Sequence, residues 1–232
     1  MLHTNSLKLI NNLINLNMLM MFFCFINDIM PFNIFNIFLG TTLWFKINVH
    51  SSKITKKYFD EKLLIPDYIT SFLHSSFLLI LLLFRYFIDS DYYNYNILFF
   101  TLCYFVYDIG IILLNNHKFI FIAHHLLAIN SILITLKEPH LVNITLNLLL
   151  IAEISNPFQN TWQILKRINH NDQEFYYTLF SNLFVIQRLI IFPIFMYNNF
   201  VFKYNIDNLI YYTIIGLGHM INIYWSYLII KK

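Results

Sequence analysis

An acid, Asp108, and a histidine doublet, His124-His125, begin sixteen residues apart in a stretch that is otherwise almost wholly apolar. A carboxylate beside an imidazole can hold its tautomer. An imidazole that titrates near neutral pH can take a proton from an amine or grip a polar headgroup. Three other apolar stretches carry a lone ionisable group in their interiors: His74, Glu153 and Arg188. Residues three or four apart share a helix face. On that spacing Thr70 and Ser71 accompany His74, Tyr104 accompanies Asp108, and Asn156 accompanies Glu153. Asn222 and Ser226 join His219 near the end of the sequence. Adjacent residues point about 100° apart around a helix, so one histidine of the doublet is expected to face a central cavity and the other to bond a neighbouring helix. The candidate catalytic set is therefore His124, His125 and Asp108. The candidate binding set is His74, Glu153, Asn156, Arg188, His219 and Asn222.

The elements that must position these groups are membrane helices. The 232 residues are 58% hydrophobic and 12% charged, against about 25% charged in soluble domains, and the mean hydropathy is +0.59. A span needs about 20 apolar residues. Seven fit, at about 30–47, 66–87, 96–114, 119–136, 141–160, 175–197 and 207–230, separated by polar turns such as Asn115-Asn116-His117-Lys118 and Lys137-Glu138-Pro139. Pro157 is expected to break the end of the fifth span, and Pro193 lies inside the sixth. The fold class is thus all-α, a multi-pass bundle of about seven spans around a polar cavity. Residues 1–29 form a separate N-terminal segment, interfacial or partly inserted, before a membrane domain at 30–232. Four glycines exclude a dinucleotide or phosphate-cradling loop. Two cysteines, Cys24 and Cys103, give no disulfide framework.

Lys and Arg concentrate on cytoplasmic loops. If the 46–62 loop faces the cytoplasm, ten of the fifteen Lys and Arg fall on that side, four on the other, and Arg188 inside a span. This orientation puts the C-terminus in the cytoplasm. It also places His74, Asp108, His124 and Glu153 at similar depth, on four helices, in the cytoplasmic half. Ionisable groups are expensive within a bilayer, so this agreement points to one cavity.

Interhelical glue is the competing reading for single polar residues, such as Glu153 with Asn156 or His219 with Asn222. It suits the Asp108–His set less well, because burying an acid–imidazole pair costs desolvation that apolar packing avoids. Arg85 is expected to snorkel to the surface. No metal is expected: the one histidine doublet lacks the usual spacing of helical His ligands.

The run Tyr104-Phe105-Val106-Tyr107-Asp108, the doublet His124-His125, and Ala152-Glu153-Ile154-Ser155-Asn156-Pro157-Phe158 resemble the TLC-domain family, which includes ceramide synthases and translocating-chain-associated membrane proteins. Ser71-x-x-His74, Gln187-Arg188 before a proline, and Met220 to Trp225 agree in order, so the resemblance covers about residues 40–230. It implies an endoplasmic reticulum or other endomembrane location, membrane lipids and not nucleic acid as partners, and lipid handling. Ceramide synthases use the matching histidine pair to move an acyl chain from acyl-CoA to a sphingoid amine, and carry a downstream H-D-x-x-D acid pair. This sequence has Glu153 and no such pair between Leu126 and Asn160. Two functions follow. One is lipid homeostasis, by binding or sensing a lipid in the cavity without a cofactor. The other is N-acyl transfer with acyl-CoA as co-substrate. Whether the protein is an enzyme stays open between them, as does its oligomeric state.

Overall fold

The computed structural model describes residues 34–56, 65–88, 90–114, 119–203 and 209–231; the expected N-terminal segment 1–29 and the Asn115–Lys118 turn lie outside them. The described residues are helical, with no strand. The helices are α1 (Ile34–Thr55), α2 (Ile65–Phe84), α3 (Asp91–Leu114), α4 (Phe119–Thr135), α5 (Val142–Glu153), α6 (Asn156–Arg167), α7 (Gln173–Ile186), α8 (Phe192–Lys203) and α9 (Leu209–Ile230). A 3₁₀ turn, Pro139–Leu141, precedes α5, and a π turn, Gln187–Ile191, joins α7 to α8. Taking α5 with α6 and α7 with α8, these are seven rods in the order the hydropathy predicts.

Five rods are long and apolar enough to cross a membrane: α2, α3, α5 with α6, α7 with α8, and α9. The α4 helix is apolar but only 17 residues long. At about 1.5 Å per residue it still reaches most of the way across the hydrocarbon. The α1 helix is long enough, at 22 residues, but Lys46, His50 and Lys53 make its second half polar. It runs eight residues past the expected end at 47.

Prolines shape two of the rods. Pro66 sits in the first turn of α2, where a missing N–H leaves no bond unmade. Pro157 cannot donate to the Glu153 carbonyl, so α5 stops at Glu153. The same proline is tolerated in the first turn of α6, which therefore runs on to Arg167. The fifth rod thus extends well past the expected boundary at 160. Pro193 cannot donate to Leu189, and its ring displaces that carbonyl. The preceding turn widens to a π turn, closed by the Phe192 N–H on the Gln187 carbonyl.

The rods close a ring. In order around it, α2 packs on α6, α6 on α7, the π turn on α9, α9 on α4, α4 on α3, and α3 back on α2. The α5 helix lies against α2, α3, α4 and the π turn. The α1 helix docks outside, in the groove between α2 and α3. There Trp44 and Ile47 are buried, and Trp44 meets the edges of His74, Phe100 and Tyr104 with ring centroids 5.2–5.6 Å away. Gly110 permits this approach, since a Cβ at that position would stand 3.1 Å from the Phe45 ring.

One end of the ring is plugged. Leu141, Ile144, Leu148, Phe192, Tyr211 and Tyr212 form a buried apolar cluster there. Beside it a chain of hydroxyls crosses three helices. Thr135 and Thr145 lie 2.6 Å apart, and Thr145 and Tyr211 lie 2.8 Å apart.

Candidate functional site

The ring encloses a cavity of about 530 Å³, within the usual range of about 300–1,000 Å³ for ligand pockets. Its lining includes all nine predicted site residues: His124, His125, Asp108, His74, Glu153, Asn156, Arg188, His219 and Asn222. They come from α2, α3, α4, α5, α6, the π turn and α9. The α1 helix contributes no described residue to the lining.

The two histidines of the doublet are held differently. His125 bonds on both ring nitrogens. Its Nδ1 is 2.9 Å from the Phe121 carbonyl and its Nε2 is 2.9 Å from Asp108 Oδ2 on α3. A carbonyl only accepts, so Nδ1 carries a proton. The short contact at Nε2 then needs one further proton between imidazole and carboxylate. Imidazolium against carboxylate, and neutral imidazole against carboxylic acid, both satisfy it, and both leave the pair without net charge. His125 is therefore the member that bonds a neighbouring helix. Tyr104 donates its hydroxyl to the other carboxylate oxygen of Asp108, at 3.5 Å.

His124 packs its ring against the edge of Trp225 at 4.9 Å, and its Nδ1 is buried with no hydrogen-bond partner. His74 is stacked parallel on Tyr104 at 3.7 Å, and its Nε2 also lacks a partner. His219 stacks on Phe192 at 4.5 Å with its Nδ1 unpaired, and the Asn222 carbonyl oxygen, one helical turn on, is unpaired as well.

The π turn places Arg188 in the wall. The extra residue in that turn rotates both Gln187 and Arg188 inward, and both are buried. Arg188 Nη2 donates to the Ala152 carbonyl at 2.8 Å, its guanidinium lies over the Phe184 ring, and its Nε–H has no acceptor. Glu153 is buried next along that wall, accepts from Asn156 Nδ2 at 2.9 Å, and lies within electrostatic reach of Arg188, His125 and Asp108. The break at Pro157 brings Asn156 onto the Glu153 side.

Several lining residues escaped the sequence reading. Trp225 entered only as part of a resemblance, yet it walls the doublet. Tyr68 accepts from Arg167 Nη2 at 2.8 Å and lies under its guanidinium, 4.2 Å from ring centroid to carbon. Asp67 accepts from Asn48 at 2.8 Å, and Asn160 donates to Ser71 at 3.0 Å. Asp67 and Tyr68 lie in the first turn of α2, where a polar residue looks like ordinary loop chemistry. Arg85, expected to snorkel, donates to Asn147 on α5 and to the Tyr86 hydroxyl at 3.2 Å. An acceptor on the facing helix holds it, and the sequence does not reveal that neighbour. Among the described residues, no three His, Cys, Asp or Glu side chains are grouped to hold a metal ion.

A ring of long apolar helices defines a multi-pass integral membrane protein, here with a buried polar cavity. Comparison with protein families gives the more particular assignment. Residues 85–231, well over half the chain, match the TLC domain, and the protein belongs to that family. The match takes in every ring element after α2. Comparison with curated proteins and with solved structures gave no match.

Proposed function

We propose that this protein binds a membrane lipid by its headgroup in the cavity and serves lipid homeostasis. One observation carries the reading. Five buried polar atoms on cavity-lining residues, His74 Nε2, His124 Nδ1, Arg188 Nε, His219 Nδ1 and Asn222 Oδ1, have no partner among the described residues. Leaving such atoms unpaired costs about 1–3 kcal/mol each, so a polar ligand that bonds several of them gains affinity at once. Donors and acceptors both occur in the set, which suits a headgroup rich in hydroxyl, amide or amine. The family, the apolar walls and the position within a membrane favour a lipid. The endoplasmic reticulum or another endomembrane is the proposed location. The distribution of basic residues favours a C-terminus in the cytoplasm.

The test is mass spectrometry of lipid retained by the purified protein. Wild type should carry one lipid class enriched over the bulk membrane, and the His124→Asn/His125→Asn double variant should lose it at equal abundance. Identical lipid profiles in the two would reject the reading.

The histidine–aspartate pair supports acyl transfer as a second reading. His125 has no vacant nitrogen, so the base would be His124, whose free nitrogen takes the proton as an amine attacks the acyl-CoA carbonyl and the thiolate departs. Release of free CoA from acyl-CoA and a long-chain amine would establish this reading. Lipid retention without CoA release would leave only the first.

A further inference from the structure

The cavity is plugged at the end holding Thr135, Thr145 and Tyr211, so its mouth is at the other. Helix direction brings the starts of α2, α4 and α7 and the ends of α3, α6 and α9 to that mouth. Its two sides differ in chemistry. On the α2–α6 side the lining is polar, with Asp67, Tyr68, Gln159 and Gln163. On the α7–α9 side it is apolar and aromatic, with Tyr177, Phe180, Leu228 and Ile229.

The apolar side also coincides with the weakest seam of the ring. The α9 helix packs along α4 and against the π turn, but scarcely touches α7. Only 11% of its span is buried, and Leu228, which lines the cavity, is 44% exposed. The seam therefore joins the cavity sideways to the space that the bilayer fills.

We propose that the seam between α7 and α9 is a lateral portal for the hydrocarbon chains of a membrane lipid, whose headgroup passes along the polar α2–α6 side toward His124. This rests on the lipid-binding reading above. A cavity of about 530 Å³ accepts a headgroup and its backbone but not two full acyl chains, so the chains must leave the ring somewhere. Leaving through the mouth into water would expose every methylene. Leaving through an apolar slit keeps them in hydrocarbon throughout. The polar side meanwhile gives the headgroup hydrogen-bond partners along its path.

The test uses the full chain in nanodiscs of phosphatidylcholine and phosphatidylethanolamine. These are doped in turn with either phospholipid carrying a photoactivatable diazirine, first on the acyl chain and then on the headgroup. Crosslinked residues are mapped by mass spectrometry. Chain probes should mark Tyr177, Phe180 and Leu228 at least threefold more than Tyr68 and Gln163, and headgroup probes should show the reverse bias. Phe180 is informative because it is only 3% exposed, so a probe must enter the cavity to reach it.

Gly218→Leu gives a second measure. An added Cβ there meets no atom within 4 Å, and the residue lines the cavity. This variant should lower chain labelling of Phe180 at least threefold, while the outward-facing Ile210 is labelled as before. If it does not accumulate, the two-sided bias in wild type decides alone. Headgroup labelling of the cavity, with chain probes marking both sides of the mouth equally, overturns the portal and leaves lipid binding standing. No labelling of cavity residues by any probe overturns both.

Discussion

At the sealed end of the cavity, Thr135, Thr145 and Tyr211 are buried and linked hydroxyl to hydroxyl. His124, Arg188, His219 and Asn222, on α4, the π turn and α9, also line the cavity, and each keeps a polar atom without a partner among the described residues. Both sets are polar groups within a membrane bundle, and sequence alone gives both the same description. The difference separates two uses of buried polarity. A closed chain of bonds holds α4, α5 and α9 together and, with each hydroxyl proton used, has no donor left for a ligand. The open set gives the fold one such bond, from Arg188 to the Ala152 carbonyl, and keeps the rest of its capacity for something that arrives. Interhelical glue accounts for the first, and the ligand proposal above is what sets the second apart.

The largest predicted effect comes from breaking the bond that ties the histidine doublet to α3. Asp108→Ala leaves His125 bonded only to its own helix and removes the charge partner across α3 and α4. Loss of one member of a fully buried pair costs about 3–5 kcal/mol, and this pair, 14% and 22% exposed, should lose less than that. Membrane abundance and lipid retention should therefore both fall, as read by quantitative blotting and by mass spectrometry of the purified protein.

His124→Asn sharpens the comparison, since the buried Nδ1 of His124 has no partner among the described residues. Retained lipid should fall about tenfold or more, with thermal stability in detergent unchanged. A drop in stability equal to that of Asp108→Ala would place His124 among the glue.

Tyr211→Phe attacks the closed set. It removes one hydroxyl and leaves Thr135 and Thr145 bonded to each other. Polar contacts between membrane helices average about 0.6 kcal/mol. Unfolding in mixed micelles should shift by about that much, and lipid retention should not change.

Gly110→Ala is the smallest. Its Cβ would press on the tip of the Phe45 ring, which can yield by a few tenths of an ångström, while alanine favours the helix by up to about 1 kcal/mol. The net change in stability should stay within about 1 kcal/mol, and retention should be unaffected because α1 lies outside the ring.

Much of the architecture was legible because its signals are local. The hydropathy of seven stretches depends only on consecutive residues, and seven rods appear in that order. The site residues were legible for a related reason. An ionisable group in an apolar run stands out against its own neighbours, and helical spacing then gives its companions on the same face. Boundaries were less legible. Pro157 marks a break equally well whether the helix ends or restarts, and only packing of α6 on α2 and α7 extends the rod to Arg167. The pairing of Arg85 with Asn147 needed two helices to be placed side by side.

The sequence by itself determined that this protein is a bundle of apolar helices with a few costly polar groups inside it, because free energies of transfer into hydrocarbon follow from composition. The tertiary structure alone decided how those groups divide. Both histidines of the doublet have the same neighbours in sequence and the same cost of burial. His125 is bonded at both nitrogens because α3 brings Asp108 to one side of α4. His124 is left open because α9 brings the Trp225 ring to the other, in an edge contact with no hydrogen bond. Partners are set by which helices touch, and that depends on the packing of the whole ring.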